Sequence, residues 1–422
     1  MILQRSSLLC TALLTAITLA AVVAVIPQAS AQATATPVAQ PGAATDIIAG
    51  QRVVLPSRIL GEERELLIHL PKDYGQSTQR YPVIVLLDGN NHFLYASGTV
   101  DFLSRNGRMP EAILVAVPTM HKRSRDLSMP LVKDKEQIAK RDAHDPPGGS
   151  AEFLAFLADE LLPWIDREYR TQPYRILSGH SLGGLFSFYA LLERPDAFNA
   201  YIAVSPSLWW DGRRWVEQSK ERLATLPGRH FLYFSWGDDE ESIRDSSQEL
   251  VDWMRKQPLP SLEWTSRYYP GDDHGTTPLR TFYDGLEKLY APWRLDVHDP
   301  EKRPLAELET LAANHSAMLS ERYGYPIPPS ADTEYALVDW LVEHKRYDEA
   351  LVRAKALQAA HPESRDVNGQ ISQILEKQGD AEGALAAYRL SLPESSEYGD
   401  VWHVKHRLET LEKAAARARR KR

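Results

Sequence analysis

The chain has 422 residues, 43% of them hydrophobic and 25% charged, with a formal net charge of −8. Such a length implies about two domains, the composition excludes a disordered chain, and the mild acidity argues against nucleic acid as a partner. The single cysteine, Cys10, lies so near the start that a processed chain would have neither disulfide nor thiolate site.

At the N-terminus Arg5 is followed by an apolar run, Leu8 to Ile26, then Pro27, Gln28 and the small-residue site Ala29-Ser30-Ala31. This pattern is expected to be a secretory leader, residues 1–31, cut before Gln32. The run is nearly long enough to span a bilayer, but the A-x-A site behind a helix breaker favours cleavage, leaving no stable membrane insertion. Export without disulfides fits a periplasmic or secreted bacterial protein that relies on its core. Residues 32–50 are small, polar and proline-bearing, the composition of a flexible linker.

From residue 51 strand and helix signals alternate. Gln51–Arg58 and Arg64–Leu70 read as two antiparallel lead-in strands. Pro82–Leu87 and Ala112–Val117 are unbroken apolar runs, the pattern of strands buried on both faces. Tyr174–Ser178, Tyr201–Ser205 and His230–Ser235 continue the series. Phe153, Phe156, Leu157, Leu161, Trp164 and Ile165 recur at helical spacing, with Pro163 expected to bend that helix. The alternation predicts an α/β domain over 51–297: a mostly parallel central sheet flanked by helices, with its site beyond the carboxyl ends of the strands. After Trp293 strand signals stop, and residues 298–422 read as all-α. Tyr347-Asp348-Glu349-Ala350-Leu351 and Ala381-Glu382-Gly383-Ala384-Leu385 are offset by 34 residues, the tetratricopeptide period. Pro362 falls where the first unit's helix-ending proline belongs, whereas the second unit has Ser396. About two repeats are too few to fold alone and are expected to dock on the preceding domain.

The chemistry centres on Gly179-His180-Ser181-Leu182-Gly183, a G-x-S-x-G motif between a strand-like and an apolar helix-like run. In a nucleophile elbow the chain leaves a buried strand, turns sharply and enters a helix, so glycines two before and two after the serine relieve crowding. The Ser181 hydroxyl then stands beside a helix N-terminus whose N–H groups can stabilise an oxyanion. A serine nucleophile needs a base, and the base an orienting acid, in the chain order Ser, acid, His. His274 is the sole histidine of the loop Pro270–Gly275 and is assigned as general base. Glu240 is assigned as the acid, because three residues past Gly237 a side chain can curl back beneath the imidazole; Asp238 and Asp239 are its rivals. His180 reads as a packing residue of the elbow. The oxyanion donors would be the backbone N–H groups of Leu182 and Asn90, the latter in the loop after Pro82–Leu87. The run Asp272-Asp273-His274 cannot wrap one ion tetrahedrally, and no G-x-G-x-x-G, Walker or zinc-spaced cluster occurs. Neither a metal nor a nucleotide cofactor is implied.

The segments YPVIVLLDGNNHF (81–93), RSRDLSMP (123–130), GHSLGG (179–184) and SPSLWW (205–210) resemble the putative esterase family, which includes enterobactin esterases, S-formylglutathione hydrolases and mycolyltransferases. The resemblance covers residues from about 50 to 295. It implies an α/β-hydrolase fold with Ser181 as nucleophile, His274 as base, an acid within 238–240 and oxyanion donors at Asn90 and Leu182. It also implies that Trp209 lines the substrate pocket, although core packing accounts for Trp209 equally well. Some members work with a Ser–His dyad, which leaves the acid open. The loop GDDHGTTP departs from the usual serine and small apolar residue after the histidine, a difference that bears on substrate preference. The expected function is an exported serine hydrolase that cleaves small-molecule carboxylic esters, siderophore-type esters among them. Two alternatives are an acyltransferase of the same fold, and a binding protein whose helical repeats recruit a partner while the hydrolase domain is a scaffold. The basic C-terminal tail, Lys413 to Arg422, reads as a solvated helix end matched to the dipole.

Overall fold

A computed structural model describes residues 47–132, 145–238, 241–362, 364–392 and 402–421. The expected leader, all but the end of the expected linker, Asp239 and Glu240 lie outside the described residues.

An eight-stranded sheet organises the hydrolase part, in the order β1-β2-β4-β3-β5-β6-β7-β8. Strands β1 (Gln51–Ser57) and β2 (Glu62–His69) form an antiparallel pair that turns at Gly61, φ 65°. Strand β2 then runs antiparallel to β4 (Ile113–Val117). All remaining pairings are parallel, through β3 (Tyr81–Leu87), β5 (Thr171–His180), β6 (Ala200–Val204), β7 (His230–Trp236) and β8 (Leu262–Tyr268).

The unbroken apolar runs have a direct cause. Side chains alternate across a strand, and here both faces are covered. Val83, Val85 and Leu87 enter one core with Ile113, Val115, Leu177, Tyr201 and Phe234. Ile84 and Leu86 enter the opposite core with Leu114, Ile176, Ile202 and Tyr233. Each fully buried Val, Leu or Ile contributes roughly 1.5–3 kcal/mol, so a polar residue on either face would cost stability.

The first core is closed by the helical stretch 150–168 and by α5 (Leu182–Glu193), α6 (Trp210–Arg222) and α7 (Glu241–Met254). The stretch 150–168 comprises α3 (Ser150–Ala155), a π-helical turn Phe156–Leu161 and α4 (Leu162–Glu168). At Pro163, where a bend is expected, the α-helical spacing is interrupted. The proline lacks the amide that would bond to the Asp159 carbonyl, and the spacing widens to π just upstream. On the second face lie α1 (Gly89–Arg105) and α8 (Thr277–Leu289). The short α2 (Arg123–Leu127) sits in the loop after β4.

After residue 300 the described chain is helical: α9 (Leu305–Tyr323), α10 (Ala331–Glu343), α11 (Tyr347–Ala360), α12 (Arg365–Gln378), α13 (Ala381–Ser391) and α14 (Trp402–Lys421). Helix α9 packs Leu319 and Tyr323 into the second core, where the Tyr323 ring lies 5.1 Å from Tyr174 and 5.2 Å from Tyr290. The two related segments open α11 and α13, and their alanines, Ala350 and Ala384, are fully buried. Among the described residues no helix is long and apolar enough to cross a membrane.

Candidate active site

Every loop that matters leaves the carboxyl edge of the sheet. Strand β5 ends at His180, and Ser181 is the N-cap of α5 with φ 61° and ψ −112°. A non-glycine residue there is strained by of order 1–3 kcal/mol and persists only where its surroundings over-determine it. They do: the Ser181 amide donates to the Val204 carbonyl at 2.9 Å, and the Ser181 carbonyl accepts from the amides of Leu185 at 3.0 Å and Ser207 at 3.1 Å.

The glycines work somewhat differently from the sequence expectation. A Cβ on Gly179 would lie 2.3 Å from the Gly183 carbonyl oxygen, so residue 179 must be bare. A Cβ on Gly183 would make only ordinary contacts, 3.5 Å from Asp88 Oδ2 and from Leu87. The second tight position is Gly184, where a Cβ would fall 2.8 Å from the Val204 carbonyl oxygen, because α5 grazes the end of β6.

Three further loops converge on this turn. The loop after β6 brings Ser207, whose buried hydroxyl lies 3.3 Å from the Ser181 hydroxyl. Strand β3 ends in Asp88, a buried left-handed N-cap (φ 54°) that starts α1 at Gly89. Arg123 donates through Nε and Nη2 to both Asp88 oxygens at 2.8 and 2.9 Å, and from Nη2 also to the His180 carbonyl at 3.0 Å. Thr119 adds a hydroxyl bond to Asp88 Oδ1. One guanidinium therefore ties the end of β3 to the end of β5, neighbouring strands. Asn90 and Leu182 each open the helix that follows one of these strands, where backbone N–H groups have no intrahelical acceptor. A second ionic cluster anchors α2, which carries Arg123. Arg125 and Arg64 both bond Glu62 and Asp126, and the Arg125 contact above all holds the Glu62 carboxyl down at about 2.

The fourth loop follows β8. The His274 ring lies 4.4 Å, centroid to centroid, from the ring of His180, the residue before Ser181. The loop is held by Asp273, whose Oδ1 accepts the amides of Gly275 and Thr276 at 2.9 Å each, and by an Arg280–Asp272 ion pair. These contacts occupy the two carboxylates that the sequence had set beside His274. Asp238, a rival for the triad acid, accepts from the Tyr268 hydroxyl and from the Gly271 amide at 2.8 Å. Trp209 is partly buried against the first core, its ring 6.1 Å from Trp210. Trp210 Nε1 donates to the Met129 carbonyl at 3.2 Å, which joins this segment to the one bearing Arg123.

Sequence reasoning gave no role to Asp88, Arg123 or Ser207, although all three fall in the motifs that carried the family resemblance. An acid directly after a fully apolar strand is the signal that could have marked Asp88, since a buried carboxylate needs a cation within reach.

A serine at a strained strand-to-helix turn, on the carboxyl edge of a mostly parallel sheet with helices on both faces, defines the α/β-hydrolase class. The family described as Putative esterase matches residues 57–278, and the chain belongs to it. It is accordingly a carboxylic-ester hydrolase. Among similar proteins, the ferri-bacillibactin esterase BesA of Bacillus subtilis is 40% identical over 146 residues, a match spanning 31% of this chain and 49% of BesA. The siderophore triacetylfusarinine C esterase of Aspergillus fumigatus is 30% identical over 251 residues, 50% of this chain and 82% of the relative. A crystal structure of an IroE-like serine hydrolase from Shewanella oneidensis superposes with a TM-score of 0.61 at 27% identity, covering 74% of this chain and 98% of the other.

Proposed function

We propose that the protein cleaves carboxylic esters through an acyl-enzyme on Ser181. Ser181 Oγ bonds to the ester carbonyl carbon while His274 takes its proton, and the backbone N–H groups of Asn90 and Leu182 hold the oxyanion. The C–O bond to the alcohol then breaks, and the alcohol leaves with the proton from His274. Water repeats the sequence in reverse and frees the acid. Glu240 orients His274 in this scheme, with Asp239 as its rival; the bonds Asp238 makes to Tyr268 and Gly271 count against Asp238. The observation that carries the reading is the strained backbone of Ser181 with the His274 ring against its preceding residue.

The relatives named as siderophore esterases favour a siderophore-type ester as substrate, with Trp209 lining the pocket. The apolar leader and A-x-A site support export to the periplasm or beyond. The helices after residue 298 are read as a tetratricopeptide-like region that offers a surface to a protein partner. The mature protein is expected to hydrolyse p-nitrophenyl butyrate and to react with a fluorophosphonate probe, and Ser181→Ala to do neither. Equal rates for the two proteins would remove Ser181 from the mechanism. A panel of ferric siderophores and simple esters, compared by kcat/KM, tests the substrate class.

A further inference from the structure

Three imidazoles stand in a row at the site, and ester cleavage through Ser181 uses only one. His180 is central. Its ring meets His274 at 4.4 Å with planes inclined by 43°, and on its other side His92 meets it edge-on at 5.5 Å and 80°. His92 is itself buried on α1. The His180 main chain is equally fixed, because its carbonyl accepts from Arg123 at 3.0 Å. Its Nε2 is buried and makes no hydrogen bond among the described residues. A histidine that leaves a ring nitrogen unpartnered contributes through its flat surface more than through that nitrogen.

We propose that His180 is a positioning residue: its ring, backed by His92, is the wall against which the His274 imidazole is held in the plane that serves Ser181. This rests on the serine-hydrolase reading and adds to it the element that fixes the base.

The charges around His180 suit such a wall. His92 faces it from α1, His274 from the loop after β8, Arg123 from α2 and Asp88 from the end of β3. Burial first, then His274, His92 and Arg123, lower its pKa to about 3, against a small opposing pull from Asp88. His180 is therefore uncharged wherever the enzyme works. An imidazolium forming on His274 meets an aromatic face and no second positive charge. The wall also keeps water from one side of the base, which restrains its tilt.

The test compares His180→Phe, which keeps a flat ring, with His180→Ala and His180→Gln, which remove it, using steady-state kinetics and ¹⁵N NMR of the His274 ring. His180→Phe is expected to keep kcat within about threefold. His180→Ala and His180→Gln should lose kcat by about tenfold or more with KM within about twofold, the pattern of misplaced catalytic geometry. In these two variants the His274 ring loses its restraint, so its ¹⁵N signals should broaden relative to those of the wild type and of His180→Phe. Full kcat in folded His180→Ala or His180→Gln overturns the proposal, as does His180→Phe falling as far as they do. If one ring-less variant fails to fold, the other carries the comparison. Hydrolysis by Ser181→Ala at the wild-type rate would instead overturn the serine mechanism; the ¹⁵N line widths of His274 still read the wall in that case.

Discussion

Around Ser181 the chain is packed backbone on backbone, whereas in the helices after Leu305 the contact is side chain on side chain. At the elbow, bare positions 179 and 184 lie against carbonyl oxygens, and Arg123, partly exposed, joins two strand ends through the buried Asp88 carboxylate and the His180 carbonyl. In α11 to α13 the tight places are alanines, Ala350, Ala354, Ala384 and Ala387, with larger aliphatics around them. Ion pairs such as Arg353–Glu334, at 2.6 Å and half-buried, link α11 to the neighbouring α10 through long side chains. The difference lies in what each region can absorb. A helix pair can shift by fractions of an ångström to admit a methyl group, but a carbonyl wedged against an α-carbon has nowhere to go.

The largest effect expected is chemical: Ser181→Ala should lower ester hydrolysis by about a thousandfold or more, with thermal unfolding scarcely moved. A stable variant of undiminished rate would break the comparison at its root. Next comes Gly179→Ala, whose added Cβ would sit 2.3 Å from a carbonyl oxygen. It should destabilise by about 3 kcal/mol or more, the upper range for point changes, and lower the rate as well, as read by urea unfolding and turnover together. Arg123→Met would strand the Asp88 carboxylate, only 3% exposed. Since the Arg123 side chain keeps 31% exposure, a loss of about 2–3 kcal/mol is expected, with Arg123→Met/Asp88→Asn recovering part of it in a double-mutant cycle. Across the molecule, Ala384→Leu should cost about 1–3 kcal/mol by overpacking and leave kcat at 25 °C unchanged. A fall in kcat as large as that of Arg123→Met would show that the two regions are not separable.

The smallest effect is a pH dependence. His69 is buried, which lowers its pKa, but the Asp101 carboxylate at 2.9 Å and the Ala49 carbonyl at 2.7 Å together outweigh burial and raise it above 6.5. A group with a raised folded-state pKa gives stability that is complete below its unfolded value and is lost as pH rises through the folded value. Unfolding free energy measured from pH 6 to 9 should therefore contain a decline that Asp101→Asn removes.

What could be read in the sequence follows the same division. Runs such as PVIVLL announce a strand covered on both faces, because they are short, rich in β-branched residues and without a polar break. Ser181 and His274, proposed above as nucleophile and base, could be singled out because a serine between glycines after such a strand, and a lone histidine in the loop after the final one, stand out in the sequence. The His274 ring does lie against the residue before Ser181. Arg123 and Ser207 could not be singled out, because their neighbours come from strands tens of residues away, and a loop arginine or serine usually faces water. Gly184 was missed for a related reason: its demand arises from the end of β6, not from the turn in which it lies. The π-helical turn before Pro163 shows local chemistry overridden by packing, since Phe156, Leu157 and Leu161 stay buried in spite of the lost amide.

The segments after β7 and β8 are joined so closely that the Asp238 amide meets the Asp272 carbonyl at 2.5 Å, and a Cβ on Gly237 would fall 2.1 Å from that same oxygen. They form one mechanical piece. Anyone wishing to retune the substrate range by transplanting residues 269–276 from a relative must bring the partner stretch from 237 onward with it. A donor chosen for one alone would deliver the histidine out of place.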